Sequence, residues 1–225
     1  MPKKKMAKAI ATAIVATGAV ALVPVAANAG QSDSTPKKAE ATGHGLKNFQ
    51  AAHDLKETGK IDKATGKALQ KAPQRELLRV FETPDDLPPA QRANADTVIG
   101  VGKGANIPEQ GQVIALMTAM QESKFVNYTT PVDHDSLGIF QQRPSTGWGT
   151  PEQITDVPTS TKSFYGVADF GNNPGLLQID GWENMPPNDA CQAVQKSGVP
   201  DAYAKWEGFA RDLLAKDGPG TKPIP

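Results

Sequence analysis

Three observations predict a mainly α-helical protein. Apolar residues recur at helical spacing in the stretch Val113, Leu116, Met117 and Met120, an i, i+3, i+4, i+7 stripe. A second stripe, Tyr203, Trp206, Ala210, Leu213 and Leu214, repeats that period near the C-terminus. Between the stripes, prolines followed by acids and glycine-bearing turns punctuate the chain where helices begin and end, as at Pro108-Glu109, Pro151-Glu152 and Gly102-Lys103-Gly104.

The first 29 residues carry Lys3, Lys4, Lys5 and Lys8, then an apolar Ala/Val/Ile/Leu run ending in Ala27-Asn28-Ala29. A basic start, a short apolar segment and a small-residue cleavage pattern read as a secretory signal peptide, with no membrane span left after its removal. Cleavage there takes 29 of 225 residues and leaves 196; it removes four of the 24 basic residues and none of the 24 acidic ones, for a formal charge of −4. A secreted or wall-associated protein that does not bind nucleic acid is expected, and a monomer. Cys191 is the one cysteine, so no disulfide framework exists. Beside Ala190 and Val194 it reads as a buried thiol on an apolar helical face.

Residues 30–44, rich in Ser, Thr, Lys, Gly and Pro, read as a flexible linker. From 45 to 72 the residues Leu46, Phe49, Leu55, Ile61 and Leu69 outline two short helices about a Thr58-Gly59 turn, the second capped by Asp62. Residues 73–89 form a second linker, where Pro84, Pro88 and Pro89 interrupt a short amphipathic stretch around Leu77, Leu78 and Phe81. The main domain spans 90–217. Its first helix, from Ala90 to Lys103, is drawn by Ala93, Val98, Ile99 and Val101, and residues 218–225 are a disordered tail.

The second helix of that domain continues from Met120 into Gln121-Glu122-Ser123-Lys124-Phe125, and sixteen residues after Glu122 comes Gly138-Ile139-Phe140-Gln141-Gln142-Arg143-Pro144. A lone glutamate at a helix end is ordinarily a solvated surface group. Here it extends an apolar helix without a break and is followed by Phe125 and Tyr128. Cleaving a glycosidic bond requires an acid that still holds its proton near neutral pH, and raising a glutamate from about 4.3 to about 6 costs roughly 2.3 kcal/mol, which an apolar wall supplies. Phe125, Ile139, Phe140 and Trp148 are candidates for that wall.

Two resemblances follow from these residues. Phe49-Gln50-Ala51-Ala52-His53-Asp54-Leu55 with Thr58-Gly59-Lys60-Ile61-Asp62-Lys63-Ala64-Thr65 and Leu69 resembles the second half of the peptidoglycan-binding domain 1 repeat. The segment is either a half-length wall-binding module or a structural cap packed on the main domain. Residues 90–215 resemble the lysozyme-like superfamily, and within it the lytic transglycosylase-like domain of secreted Gram-positive cell-wall proteins. The matching stretches are Met120-Gln121-Glu122-Ser123, Asp135 to Ser145, Gly147-Trp148-Gly149-Thr150-Pro151, Phe164-Tyr165 and Ala202-Tyr203-Ala204-Lys205-Trp206.

That resemblance implies a lysozyme-like helical domain acting on the glycan strands of peptidoglycan. It makes Glu122 the general acid and then base, oriented by Ser123, with Gln141 and the Gly138 to Phe140 backbone lining the cleft. Gln142, Arg143 and Trp148 are further sugar contacts, and Tyr203 reaches the cleft. Ile139 and Phe140 are either platform or core, and Trp148 either meets glycan or plugs its turn. Asp135 is the candidate second carboxylate, or else a cap for the Gly138 turn, with Asp133 beside it. A hydrolase needs such a partner, whereas a transglycosylase works with one glutamate and the muramyl residue's own oxygen. No His, Asp or Glu set has metal-ligand spacing, so no metal or cofactor is expected. The rival expectation is a non-catalytic peptidoglycan-binding or scaffold protein on the same fold.

Overall fold

The computed structural model describes residues 44–131 and 133–225, which are mainly α-helical, with nine α-helices and no strand among them. The expected signal peptide and all of the first linker but His44 lie outside the described residues. The helices are α1 (His44–Ala52), α2 (Lys63–Lys71), α3 (Gln74–Val80), α4 (Pro89–Gly104), α5 (Glu109–Ser123), α6 (Pro151–Thr155), α7 (Val157–Tyr165), α8 (Pro187–Gln195) and α9 (Glu207–Asp217), joined by short 3-10 turns.

At the centre runs α5, packed by α4, α7, α8 and α9. The expected stripe on α5 understates its burial: every residue from Gly111 to Met120 is buried, as a helix enclosed on all sides requires. Ala95 rather than Ala93 joins Val98, Ile99 and Val101 on the inner side of α4. Phe140 stacks on Phe164 of α7 with centroids 4.5 Å apart and planes 7° from parallel. Ala190, Cys191 and Val194 are buried on α8.

The expected second linker, 73–89, is structured instead. It contributes α3 and a 3-10 turn at Pro84–Asp86, and it buries Leu77, Val80, Phe81, Pro84 and Leu87. Asp85 pairs with Lys216 and, at 3.0 Å, with Arg92, whose Nε donates to Asp217 at 2.9 Å, so this segment is tied to both α4 and α9. Two short helices cannot bury a core alone. The segment 45–72 meets that limit by sharing one continuous apolar core with the rest, from Leu46 and Phe49 through to Leu213.

The tail is also ordered, contrary to expectation. Ile224 N–H donates to Gly100 O at 2.8 Å, and Lys103 Nζ donates to the carbonyls of Gly218 and, at 2.9 Å, Thr221. A Cβ on Gly104 would lie 1.9 Å from Ile224 O, so the small residues of α4 make room for the chain end. No helix among the described residues is long and apolar enough to cross a membrane.

Candidate active site

Glu122 stands at the end of the buried helix α5, and what terminates that helix shapes its surroundings. Lys124 (φ 57°) and Phe125 (φ 59°) both take the left-handed conformation that side-chain-bearing residues rarely adopt. Lys124 N–H caps the last turn at Ala119 O and Met120 O, and Asn94 Nδ2 donates to Phe125 O at 2.8 Å. A pair of left-handed non-glycine residues costs about 1–2 kcal/mol each and persists only where packing dictates it. Here the reversal buries Phe125 completely and keeps Ser123 and Lys124 almost wholly inside.

The two sequence motifs meet through their backbones. Ser123 Oγ donates to Ile139 O at 2.7 Å and to Ala119 O at 3.2 Å, so it ties α5 to the Gly138 turn rather than touching the Glu122 carboxyl, as its expected orienting role had it. Gly138 (φ 71°) must be glycine, because a Cβ there would sit 2.4 Å from Ile154 O. Its N–H donates to Tyr128 O at 2.9 Å. Gln141 is left-handed as well, at φ 50°, and its Nε2 donates to Gly138 O at 2.9 Å, which closes the turn on itself.

Glu122 retains some exposed surface, while its carboxyl is crowded by protein. Burial raises its pKa above the ordinary carboxylate value; hydrogen bonds from Tyr203 and Gln195 and the charge of Lys124 pull less strongly the other way. Tyr203 OH donates to Glu122 Oε1 at 2.7 Å. Gln195, on α8, also donates its Nε2 to Phe140 O at 2.9 Å, so one amide links the glutamate to the Gly138 turn. The result is an acid that keeps its proton to higher pH than usual and is aimed by a fixed phenol.

Behind it lies a second buried ionisable group. Lys124 Nζ donates to Gln121 O at 3.0 Å and lies 5.6 Å from the centroid of Trp206, whose Nε1 donates to Gln121 Oε1 at 2.9 Å. Burial above all, with Lys205 over the same ring, depresses the Lys124 amine to about 7, against a small opposing pull from Glu122. Cys191 is a buried thiol that burial pushes up to about 12, unsuited to act as a nucleophile.

Several expected sugar contacts take other roles. The side chains of Ile139 and Phe140 are fully buried and Trp148 is 9% exposed, so all three are core, and only the Ile139 and Phe140 carbonyls face the Glu122 network. Apolar rings packed inward stabilise the turn more than they would by waiting for a ligand. Gln142 is 2% exposed, and its long 3.4 Å bond to Ser160 O points it inward too. Tyr203 is buried and serves Glu122 directly.

Asp135 is taken up by its own loop. Ser145 N–H donates to one of its oxygens at 2.8 Å and Arg143 Nε to the other at 2.6 Å; the Ser145 side chain first, then Arg143 and the Ser145 N–H, hold the carboxyl well below the usual carboxylate range. It thus staples the segment after the Gly138 turn through Arg143 and Ser145. Asp133 pairs with His134 at 2.9 Å on the exposed loop. No group of three or more His, Cys, Asp or Glu among the described residues is placed to hold a metal ion.

Sequence reasoning missed Gln195 as a neighbour of Glu122, and it placed Lys124 and Tyr128 just after Glu122 without giving either a role at the site. Their nearness in the chain was the signal for those two; Gln195 carries no local signal. No protein-family model matches this sequence, and comparison with curated proteins yields no significant match.

Proposed function

We propose that the chain is a secreted cell-wall protein that cleaves the glycan strands of peptidoglycan with Glu122 as the single acid and base. The observation that carries this reading is Glu122 itself: a carboxyl with its pKa raised by burial, hydrogen-bonded to Tyr203, at the end of a helix that Ser123 ties to the Gly138 turn. The lysozyme-like resemblance of the residues around both motifs supplies the substrate class.

In the reaction, protonated Glu122 donates its proton to the glycosidic oxygen as the bond to the anomeric carbon breaks. The carboxylate then removes a proton from the attacking oxygen. With both Asp135 oxygens held by Arg143 and Ser145, attack by the muramyl residue's own C6 hydroxyl, giving a 1,6-anhydro end, is favoured over a two-carboxylate hydrolysis. This makes a lytic transglycosylase the better reading than a muramidase.

Digestion of purified peptidoglycan with the mature protein and with Glu122→Gln, products resolved by mass spectrometry, tests the proposal. Anhydro-muropeptides from the wild type, reduced on the order of 10²–10⁴-fold in the variant, are expected from loss of the general acid. Reducing ends in their place would make it a muramidase. A non-catalytic wall-binding role is favoured by one observation, the narrowness of the space beside Glu122 described below. It would be established by both proteins sedimenting with peptidoglycan while releasing nothing.

A further inference from the structure

The face of Glu122 is met by a helix from the N-terminal segment. A cavity is lined on one side by Gly66, Leu69 and Gln70 of α2 and on the other by Glu122, Lys124 and Tyr128, and it holds about 10 Å³ of free space. That is roughly one water molecule, whereas sites that accept small ligands offer about 300–1,000 Å³. No sugar ring enters between α2 and Glu122 in this arrangement.

The contact is close and set by one residue. A Cβ at Gly66 would lie 2.4 Å from Tyr128 Oη but 3.5 Å from the ring carbon that bears it, so glycine is what lets α2 seat on the tyrosine hydroxyl. Tyr128 in turn accepts the N–H of Gly138 on its carbonyl, which links the seat of α2 to the turn beside Glu122. Only Thr65, Gly66 and Leu69 of α2 are buried. The helix hangs between a largely exposed loop at residues 53–60 and the Ala72-Pro73 junction. A short helix with few buried residues and an exposed connection belongs to the part of a fold that opens most readily.

We propose that α2 is an autoinhibitory cover on the Glu122 site, which must separate from Tyr128 and Lys124 before a glycan strand can reach the carboxyl. The proposal rests on the glycan-cleaving reading for its substrate, while its geometry stands apart from that reading. The cover is held to its neighbour α1 by Gln50, whose Nε2 donates to Thr65 Oγ1 at 3.1 Å and to Lys60 O at 2.8 Å. Opening therefore either breaks these Gln50 bonds or carries α1 along with α2.

The test uses the full mature chain with two readouts, the acetylation rate of Lys124 by a small amine-reactive ester, read by peptide mass spectrometry, and muropeptide release from peptidoglycan. Gly66→Ala brings a methyl into Tyr128 Oη, and alanine is the better helix former, so α2 itself stays intact. Both readouts should rise by on the order of tenfold, as a decade's shift in the open fraction gives. Gly66→Ala/Tyr128→Phe removes the hydroxyl that the methyl meets and should return both to wild-type rates, a reversal that misfolding cannot produce.

Unchanged Lys124 acetylation in Gly66→Ala, or no reversal in the double variant, would overturn the cover. Faster and reversible acetylation with unchanged muropeptide release from an active wild type would overturn autoinhibition. Faster and reversible acetylation with no release from any form would leave the cover in place and remove the glycan-cleaving reading instead.

Discussion

Glu122 and Asp135 both precede the Gly138 turn, and the fold treats the two carboxyls oppositely. Glu122 ends a helix buried on every side, with few charged neighbours, and burial pushes its pKa up. Asp135 lies on an exposed loop with Ser145 and Arg143 on its two oxygens, and the Ser145 side chain, Arg143 and the Ser145 N–H, in that order, push it down. The first keeps its proton to higher pH than an ordinary carboxylate; the second loses its proton at lower pH than one and braces its loop. Distance along the chain does not separate them. What separates them is whether desolvation or a dedicated partner is the larger effect.

If desolvation governs the Glu122 end, the largest change should come from its other buried charge. Lys124→Met replaces a buried amine with an apolar chain of similar length and should stabilise the protein by about 1–4 kcal/mol near pH 7, as replacing buried charges with apolar groups often does. The pH dependence carries the diagnostic sign. The folded amine sits at about 7 and the ordinary one at 10.5, so its contribution to stability is present above 10.5 and lost as pH falls to 7. Denaturant titration should therefore show wild-type stability climbing between those values and the variant flat. A wild type that is flat as well would place Lys124 in solvent and break the comparison.

Glu122 has the reverse sign. Its folded pKa is raised above the ordinary 4.5, so its contribution to stability is present below that value and is lost as pH rises through the folded pKa. Tyr203→Phe sharpens this, because the phenol bonds the ionised form and its removal raises Glu122 further. Loss of a hydrogen bond to a charged group is worth about 1.5–3 kcal/mol, so muropeptide release should fall by roughly tenfold or more. The alkaline limb of its pH profile should move upward. A lower rate with an unmoved limb would make Tyr203 a packing residue only.

Much of this could be read from the chain. The stripe ending at Met120 and running into Glu122 gave the central helix, and the spacing to Gly138 gave the partner turn, because both depend on neighbours in sequence. What the sequence hid was long-range. Tyr203 is 81 residues from Glu122, and Gln195 reaches Phe140 from α8, contacts that no local period encodes. Whether Phe140 and Trp148 face in or out was open in the sequence, because an aromatic in a glycine-bearing turn reads the same either way; Phe164 stacked on Phe140 and the burial of Trp148 decide it. The segments expected as linker and tail fold because α4 and α9 offer Asp85 ion pairs, and α4 offers the tail the Lys103 amine and the Gly100 carbonyl, which composition cannot show.

The smallest effect belongs to Asp135, and it tests the other half of the comparison. Asp135→Asn keeps the shape and one acceptor oxygen but loses the charge that Arg143 meets. The pair is exposed and screened by solvent, so muropeptide release should change little and the product ends should stay the same. A second carboxylate acting on water or on the anomeric carbon would behave differently: its loss would abolish release, and any product formed by the variant would lose reducing ends first. Comparing Asp135→Asn with Arg143→Gln separates the two roles further. A brace loses about the same from either side, because each substitution breaks the same pair, whereas a catalytic carboxylate freed from Arg143 would keep its charge and shift the pH profile upward as its partner's pull is lifted.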